Sequence, residues 1–255
     1  MTASTTPTPD KSKKRFKSIA AFLFWMAVWQ GAAMLLAQPY LLPSPWVVLK
    51  TLAALAGEGV FWLTALSSLG RIFLGFVCGV AVGTLLAAAT LRWAAADAIF
   101  SPLLRVVRAT PVASFILLAI LFLGRARTPG FIATLMVTPI VWGNVVSAAR
   151  ETDGELLEMA GAYRFGPVKT LRLVYIPSIF PSWRAACLTG IGLAWKAGVA
   201  AEVLGQPKTA IGTELYYAKI YFETPALFAW TAVVVILSFL LEKSFVKLTG
   251  RSGGL

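Results

Sequence analysis

Six stretches of this chain, near residues 18–37, 63–91, 103–123, 129–149, 183–205 and 225–246, run about twenty residues or more with few charges. A helix of that length crosses a hydrocarbon core about 30 Å thick. A backbone with no water to bond must satisfy its polar groups inside the helix. The runs therefore predict an all-α membrane protein with six transmembrane helices. The composition, 58% hydrophobic and 13% charged, lies well outside that of soluble domains, which are about half apolar and a quarter charged. The third run has the shortest clean stretch, because Pro111 follows the basic start "PLLRVVRATP"; a kinked helix is expected there.

Orientation follows from the basic residues. Lys and Arg number 23 against 11 Asp and Glu, but they are scattered around the apolar runs, with no stripe or motif suited to nucleic acid. With the N-terminus in the cytoplasm, sixteen fall on the inner side, five on the outer side, and Arg71 and Lys196 inside spans, a clear positive-inside bias. Both termini are then expected to be cytoplasmic. Residues 1–17, Pro/Thr-rich and then basic, read as a flexible basic cytoplasmic tail, and 18–250 as the transmembrane domain. The first apolar run is longer than a signal-peptide core and is expected to stay as a span. The outer loops "YLLPSPWVVLKTLAALAGEG" and "GQPKTAIGTELYYAKIYFETP" mix Trp and Tyr with small and polar residues, as interfacial helices do.

Several chemistries have no residues to carry them. The chain has no histidine, and its two cysteines, Cys78 and Cys187, form no CxxC pair, so neither a metal site nor a disulfide framework is expected. No phosphate-cradling GxxxxGK[ST] loop occurs, which assigns any ATP binding to another chain. No catalytic residue is proposed.

One charged segment interrupts the apolar runs: "ETDGELLEMAGAYRFGPVKTLRLVYIPSIFP", residues 151–181. From Glu155 to Phe165 it can form a helix with Leu156, Leu157, Met159, Ala160 and Tyr163 on an apolar side and Glu155, Glu158 and Arg164 on a polar one. Gly166-Pro167 ends it. A second short helix can start at Pro167, which suits a first helical position, and run to Pro177, where the chain turns back to the bilayer. On periodicity alone the same pattern also fits an ordinary interfacial loop.

Ionisable groups inside spans are functional candidates by default. Counted from Ala185 at 1.5 Å per residue, Lys196 lies about 16 Å deep and Glu202 about 25 Å. They are six residues apart, about 240° around the helix, and do not face each other. A mid-span lysine cannot snorkel out over four carbons, so Lys196 is a pathway candidate, with Trp195 beside it as a stacking surface. Arg71 fits either the pathway or an ion pair or carbonyl contact that holds the bundle, and Glu202 either the pathway or an acid at the outer gate or interface. Gly75, Gly79 and Gly83 form a GxxxGxxxG stripe suited to close helix packing.

The spacing of Glu158, Ala160, Pro177 and Pro181 resembles the EAA signature of inner-membrane permeases of binding-protein-dependent ABC importers. In the same order, "LPSPWVVLKTL" resembles an outer segment of the nitrate/sulfonate/taurine branch, "SLGRIFLGFVCGVAVG" its second span, "RATPVASFILLAILFLG" its third and "GLAWKAGVAAEVLG" its fifth. The resemblance covers residues 40 to 246. It implies a type I ABC importer permease whose residues 151–177 form a cytoplasmic coupling-helix pair, through Glu155, Glu158, Ala160, Tyr163, Arg164, Gly166, Pro167 and Pro177. It also implies two separate P-loop ATPase subunits that bind ATP and Mg, an external substrate-binding protein, and a homodimer in a bacterial-type inner membrane. The path would carry a small anionic or heterocyclic solute. One departure is that the family pattern has a glycine six positions after the glutamate, where this chain has Arg164; the bend is expected at Gly166-Pro167 instead. The rival reading, a gradient-driven secondary transporter, would call for internal repeats and midplane ion ligands, and the two halves show no evident similarity. A membrane-embedded enzyme would need acid/base or metal groups, for which a chain with no histidine and no paired acids inside a span has few candidates.

Overall fold

The structure, a computed structural model, describes residues 11–38 and 40–250, with side chains from residue 19 onward. Residues 1–10 of the expected tail lie outside the described residues, as does Arg251. All regular structure among the described residues is helical. Five helices are long and apolar enough to cross a membrane, or six if one sharply bent pair counts as a single span.

The first helix, α1, spans Lys11–Leu36; it takes in the basic residues 11–17, and its apolar stretch is Ile19–Leu36. It sits at the periphery, where Trp29 donates to Pro43 O at 3.1 Å and stacks on Phe228. The next helix, α2 (Pro45–Ala56), starts with Pro at its first position and Ser44 accepting from the Val47 amide, a standard N-terminal cap. It is a short apolar helix, in the stretch expected to form an outer interfacial helix.

The centre of the bundle is built by α3 (Gly59–Arg92), α6 (Thr128–Arg150) and α9 (Ile176–Gly205). In lipid no hydrophobic force drives helices together, so small residues that allow close approach decide the packing. The glycine stripe does this here. A Cβ on Gly75, Gly79 or Gly83 would lie 2.2, 2.8 or 2.7 Å from α6 atoms, so α3 and α6 meet backbone to backbone. Thr134 Oγ1 donates across the seam to Gly75 O at 2.9 Å. Phe76, Val137, Val141 and Ile191 fill the core where α9 closes over the pair.

Two expectations change. The third span is not one kinked helix: α4 (Ala94–Ala109) and α5 (Val112–Leu123) meet at 107°. The residue before a proline is pushed out of the helical region, and Thr110, with ψ 135°, is extended ahead of Pro111. The twelve residues of α5 reach only about 18 Å. Nor does the chain break at Pro177. After α7 (Gly154–Ala162) and α8 (Pro167–Thr170), residues Pro167–Gly205 run on as one rod of 39 residues. A π turn at Leu171–Tyr175, closed by the Ile176 amide on Leu171 O, sits just ahead of Pro177. Such a turn accommodates the proline's missing N–H within a continuing helix. The bundle closes with α10 (Ile211–Ile220) and α11 (Thr224–Gly250).

Candidate functional site

The segment between α6 and α9 forms a knob at the basic end of the bundle, where Arg92, Arg150 and Lys247 terminate α3, α6 and α11. Asp153 caps α7, accepting from the Glu155 amide at 2.9 Å, and Glu155 sits in the first turn, where a negative charge suits the helix dipole. Ala160 is buried, while Glu155, Glu158 and Met159 are exposed. The far end of α7 closes with the Phe165 amide on Ala160 O at 2.8 Å and the Arg164 amide on Gly161 O at 2.9 Å. This is the paired ending that places one residue in the left-handed region, usually glycine.

That residue is Arg164, with φ 54°. The expected bend at Gly166-Pro167 is therefore corrected: the turn stays at the family's glycine position, and arginine adopts the strained conformation. Gly166 is extended (φ −68°, ψ 163°) and leads straight into Pro167. Lys169 Nζ lies over the Phe165 ring at 4.0 Å, which ties the two short helices together. Tyr163 and Val168 stand out on the knob's surface, 73% and 77% exposed. Pro177 lies inside the rod and not at a re-entry corner.

The embedded candidates separate into two groups. Arg71 and Glu202 belong to a buried cluster at the other end of the bundle. Glu202 is fully buried and accepts from Ser68 Oγ (2.9 Å), Arg71 Nη2 (3.1 Å) and the Gly212 amide (3.2 Å). Ser68 Oγ accepts from the Ile211 amide at 2.9 Å, and Arg71 Nη2 also donates to Thr209 O at 3.1 Å. The start of α10 is thereby latched onto α3 and α9. Gly212 is needed there because a Cβ would come within 2.4 Å of Glu202. Trp195, 1% exposed, donates to Val234 O at 2.9 Å and packs toward α11. These three side chains hold helices together.

Lys196 alone of the four reaches an open face. It is exposed on α9 in a stripe with Thr189, Gly192, Leu193 and Ala200, spaced three and four residues apart. At 1.5 Å per residue it lies about 14 Å from the Gly205 end. The stripe borders a groove of about 700 Å³ between α9 and α11, lined by Lys196, Gly192, Thr189, Glu242 and Lys243. A Cβ on Gly192 would lie 3.0 Å from Glu242 Oε1, so this carboxylate rests one helical turn from Lys196. No carboxylate comes within 4.0 Å of the Lys196 ammonium among the described residues. Sequence reasoning passed over Glu242, although an acid in the sixth apolar run was a readable signal. It also passed over Ser68, which carried no signal of its own.

Residues 79–248 match the family described as "Binding-protein-dependent transport system inner membrane component". The chain belongs to this family. It is 25% identical over 244 residues to the taurine transport system permease protein TauC of Escherichia coli, covering 92% of this chain and 87% of that one. It is 28% identical over 224 residues to the riboflavin transport system permease protein RibX of Chloroflexus aurantiacus, covering 85% and 81%. The fold matches that of the inward-facing MetNI methionine ABC transporter with a TM-score of 0.57 at 18% identity, covering 82% of this chain and 97% of that one. This binding-protein-dependent permease is thus a multi-pass inner-membrane component of an ABC importer. Members of the family work with an ATPase and a substrate-binding protein.

Proposed function

We propose that two copies of the chain form the membrane path of an ATP-driven importer, with the α9 stripe facing the two-fold axis and the knob gripped by ATPase subunits. The observation that carries this reading is the exposed Lys196 beside Glu242 on an open groove at membrane depth. A charge there is too costly against lipid, so the face belongs to water, solute or a second copy. Two-fold pairing of the stripe supplies all three.

The rest follows from charge and stiffness. The basic end is cytoplasmic, with both termini there, so the knob meets two ATPase subunits that bind ATP and Mg; no cofactor is assigned to this chain. Residues 151–177 act as a lever because α8, the π turn and α9 form one rod. A push on Tyr163, Arg164 or Glu158 therefore moves the helix that bears Lys196. Glu155, Ala160, Gly166 and Pro167 shape the α7 cap and the turn around it. An external binding protein delivers a small anionic or heterocyclic solute, and Lys196 favours an anionic group.

The test is reconstitution with the ATPase that co-purifies. Glu158→Lys should insert normally yet lose most substrate-stimulated ATP hydrolysis. Uphill uptake by this chain alone, or full coupling by Glu158→Lys, overturns the reading.

A further inference from the structure

A second groove lies on the opposite side of α9. At 100° per residue, Ile176, Phe180 and Trp183 project about 140–160° away from Lys196. They line a cavity of about 840 Å³ with the last turns of α3 and α6, and the only charged residues in its wall are Arg92 and Arg150. Each arginine sits in the final turn of its helix, at the boundary between apolar rod and water. Arg92 has no acidic partner within 4.0 Å among the described residues, and Arg150 meets Asp97 at 3.5 Å with 63% of its side chain exposed.

The cavity continues toward the bundle's middle. It shares Thr84 and Trp183 with an apolar channel of about 750 Å³ between α3, α9 and α11, walled by Phe73, Val77, Leu241 and Phe245. Trp183 Nε1 donates to Thr84 Oγ1 at 3.0 Å, so the indole and hydroxyl satisfy each other at the junction. From Arg92 to Val77 the lining extends over fifteen residue steps along α3, about 22 Å. The pair of cavities thus has a cationic mouth at headgroup depth and a greasy extension longer than half the hydrocarbon core.

We propose that this groove binds one anionic glycerophospholipid, its phosphate between Arg92 and Arg150 and an acyl chain in the channel beside Trp183. Basic pockets between helices at the membrane surface recognise such headgroups. The occupant touches Leu171 and Tyr175, the first and last residues of the π turn. The lipid therefore braces the part of α9 that would move during coupling. The inference needs only the membrane placement of the family; excluding a second copy from this face alone borrows the two-fold arrangement proposed above.

The test is native mass spectrometry of the purified chain in mild detergent, titrated with phosphatidylglycerol or with phosphatidylcholine of the same acyl chains. Each arginine near the surface contributes about fivefold, so the first site should prefer phosphatidylglycerol by about 25-fold. The double variant Arg92→Gln/Arg150→Gln should lose that preference with an unchanged melting temperature, since both side chains are solvent-facing. Ala88→Trp, which fills the groove below the arginines, should weaken both lipids. Equal binding of the two lipids by the wild type, a preference that survives in the double variant, or displacement by millimolar inorganic phosphate overturns the proposal. So does loss of self-association in Ala88→Trp, which would give this face to a second copy. Transport is not measured, so failure here leaves the coupling reading standing, and failure of coupling leaves this site standing.

Discussion

Replacing Gly75 by alanine adds one methyl where the structure has no room for it. The new Cβ would sit 2.2 Å from Gly130 O and 2.9 Å from Ala133 Cβ. The first of these is backbone of α6 and cannot swing aside, so α3 and α6 must part by about 1 Å to restore ordinary contact. Parting stretches the Thr134 hydroxyl bond to Gly75 O, now 2.9 Å, and the Thr138 bond to Gly79 O, already 3.5 Å. Overpacking of this kind costs about 1–3 kcal/mol, and an interhelical hydrogen bond in a membrane protein is worth about 0.6 kcal/mol. A loss of about 2–3 kcal/mol is therefore expected. Unfolding in mixed micelles of dodecylmaltoside and increasing SDS, followed by tryptophan fluorescence, measures it. Gly161→Ala is the control: nothing lies within 4 Å of the added Cβ, so it should be neutral or slightly stabilising. A Gly75→Ala midpoint equal to wild type would refute close glycine packing as the basis of the α3–α6 seam.

Three further outcomes are expected. Glu202→Ala removes the shared acceptor of Ser68, Arg71 and the Gly212 amide, which should cost about 3–5 kcal/mol and appear as faster hydrogen exchange at Ile211 and Gly212. Arg164→Gly relieves a left-handed arginine, worth about 1–2 kcal/mol, against about 0.5–1 kcal/mol for the entropy of glycine; slower exchange of the Phe165 amide is the readout. Burial raises the Glu214 carboxyl above its ordinary value. The folded state then holds the proton at a pH where the unfolded state has released it, so stability falls as pH rises through the folded pKa. Glu214→Gln should thus raise the melting temperature at neutral pH, with the gain vanishing once the medium is acidic enough to protonate Glu214 in both states.

The spans were legible because their physics is local: twenty apolar residues, a stripe of glycines and a bias of basic residues each carry their meaning without tertiary context. Segment 151–177 was legible as an amphipathic helix followed by a second one starting at Pro167, and Ala160, placed on the apolar side, is buried; the Asp153 cap came only with the structure. The corner at Pro111 was underestimated because a proline says that a helix is disturbed, not through what angle. At Pro177 the error ran the other way, since a π turn absorbs the missing donor and no sequence pattern announces it. Arg164 shows the same limit: its composition argues against a left-handed residue, and only the two closing hydrogen bonds of α7 force one. The division between Lys196 and its neighbours depended on which way each side chain faces. Trp195 is one residue from Lys196 but about 100° around the helix, enough to turn it from the groove into the packing against α11.

The most direct test of the path is the water accessibility of position 196. In a fully assembled importer with Cys78 and Cys187 replaced, Lys196→Cys should react with a membrane-impermeant thiol reagent, at a rate that changes when ATP is added. Leu74→Cys on the outer surface of α3 should stay unlabelled in the same membranes. Labelling of position 74 but not 196, or a rate at 196 indifferent to ATP in a transporting complex, would contradict the account.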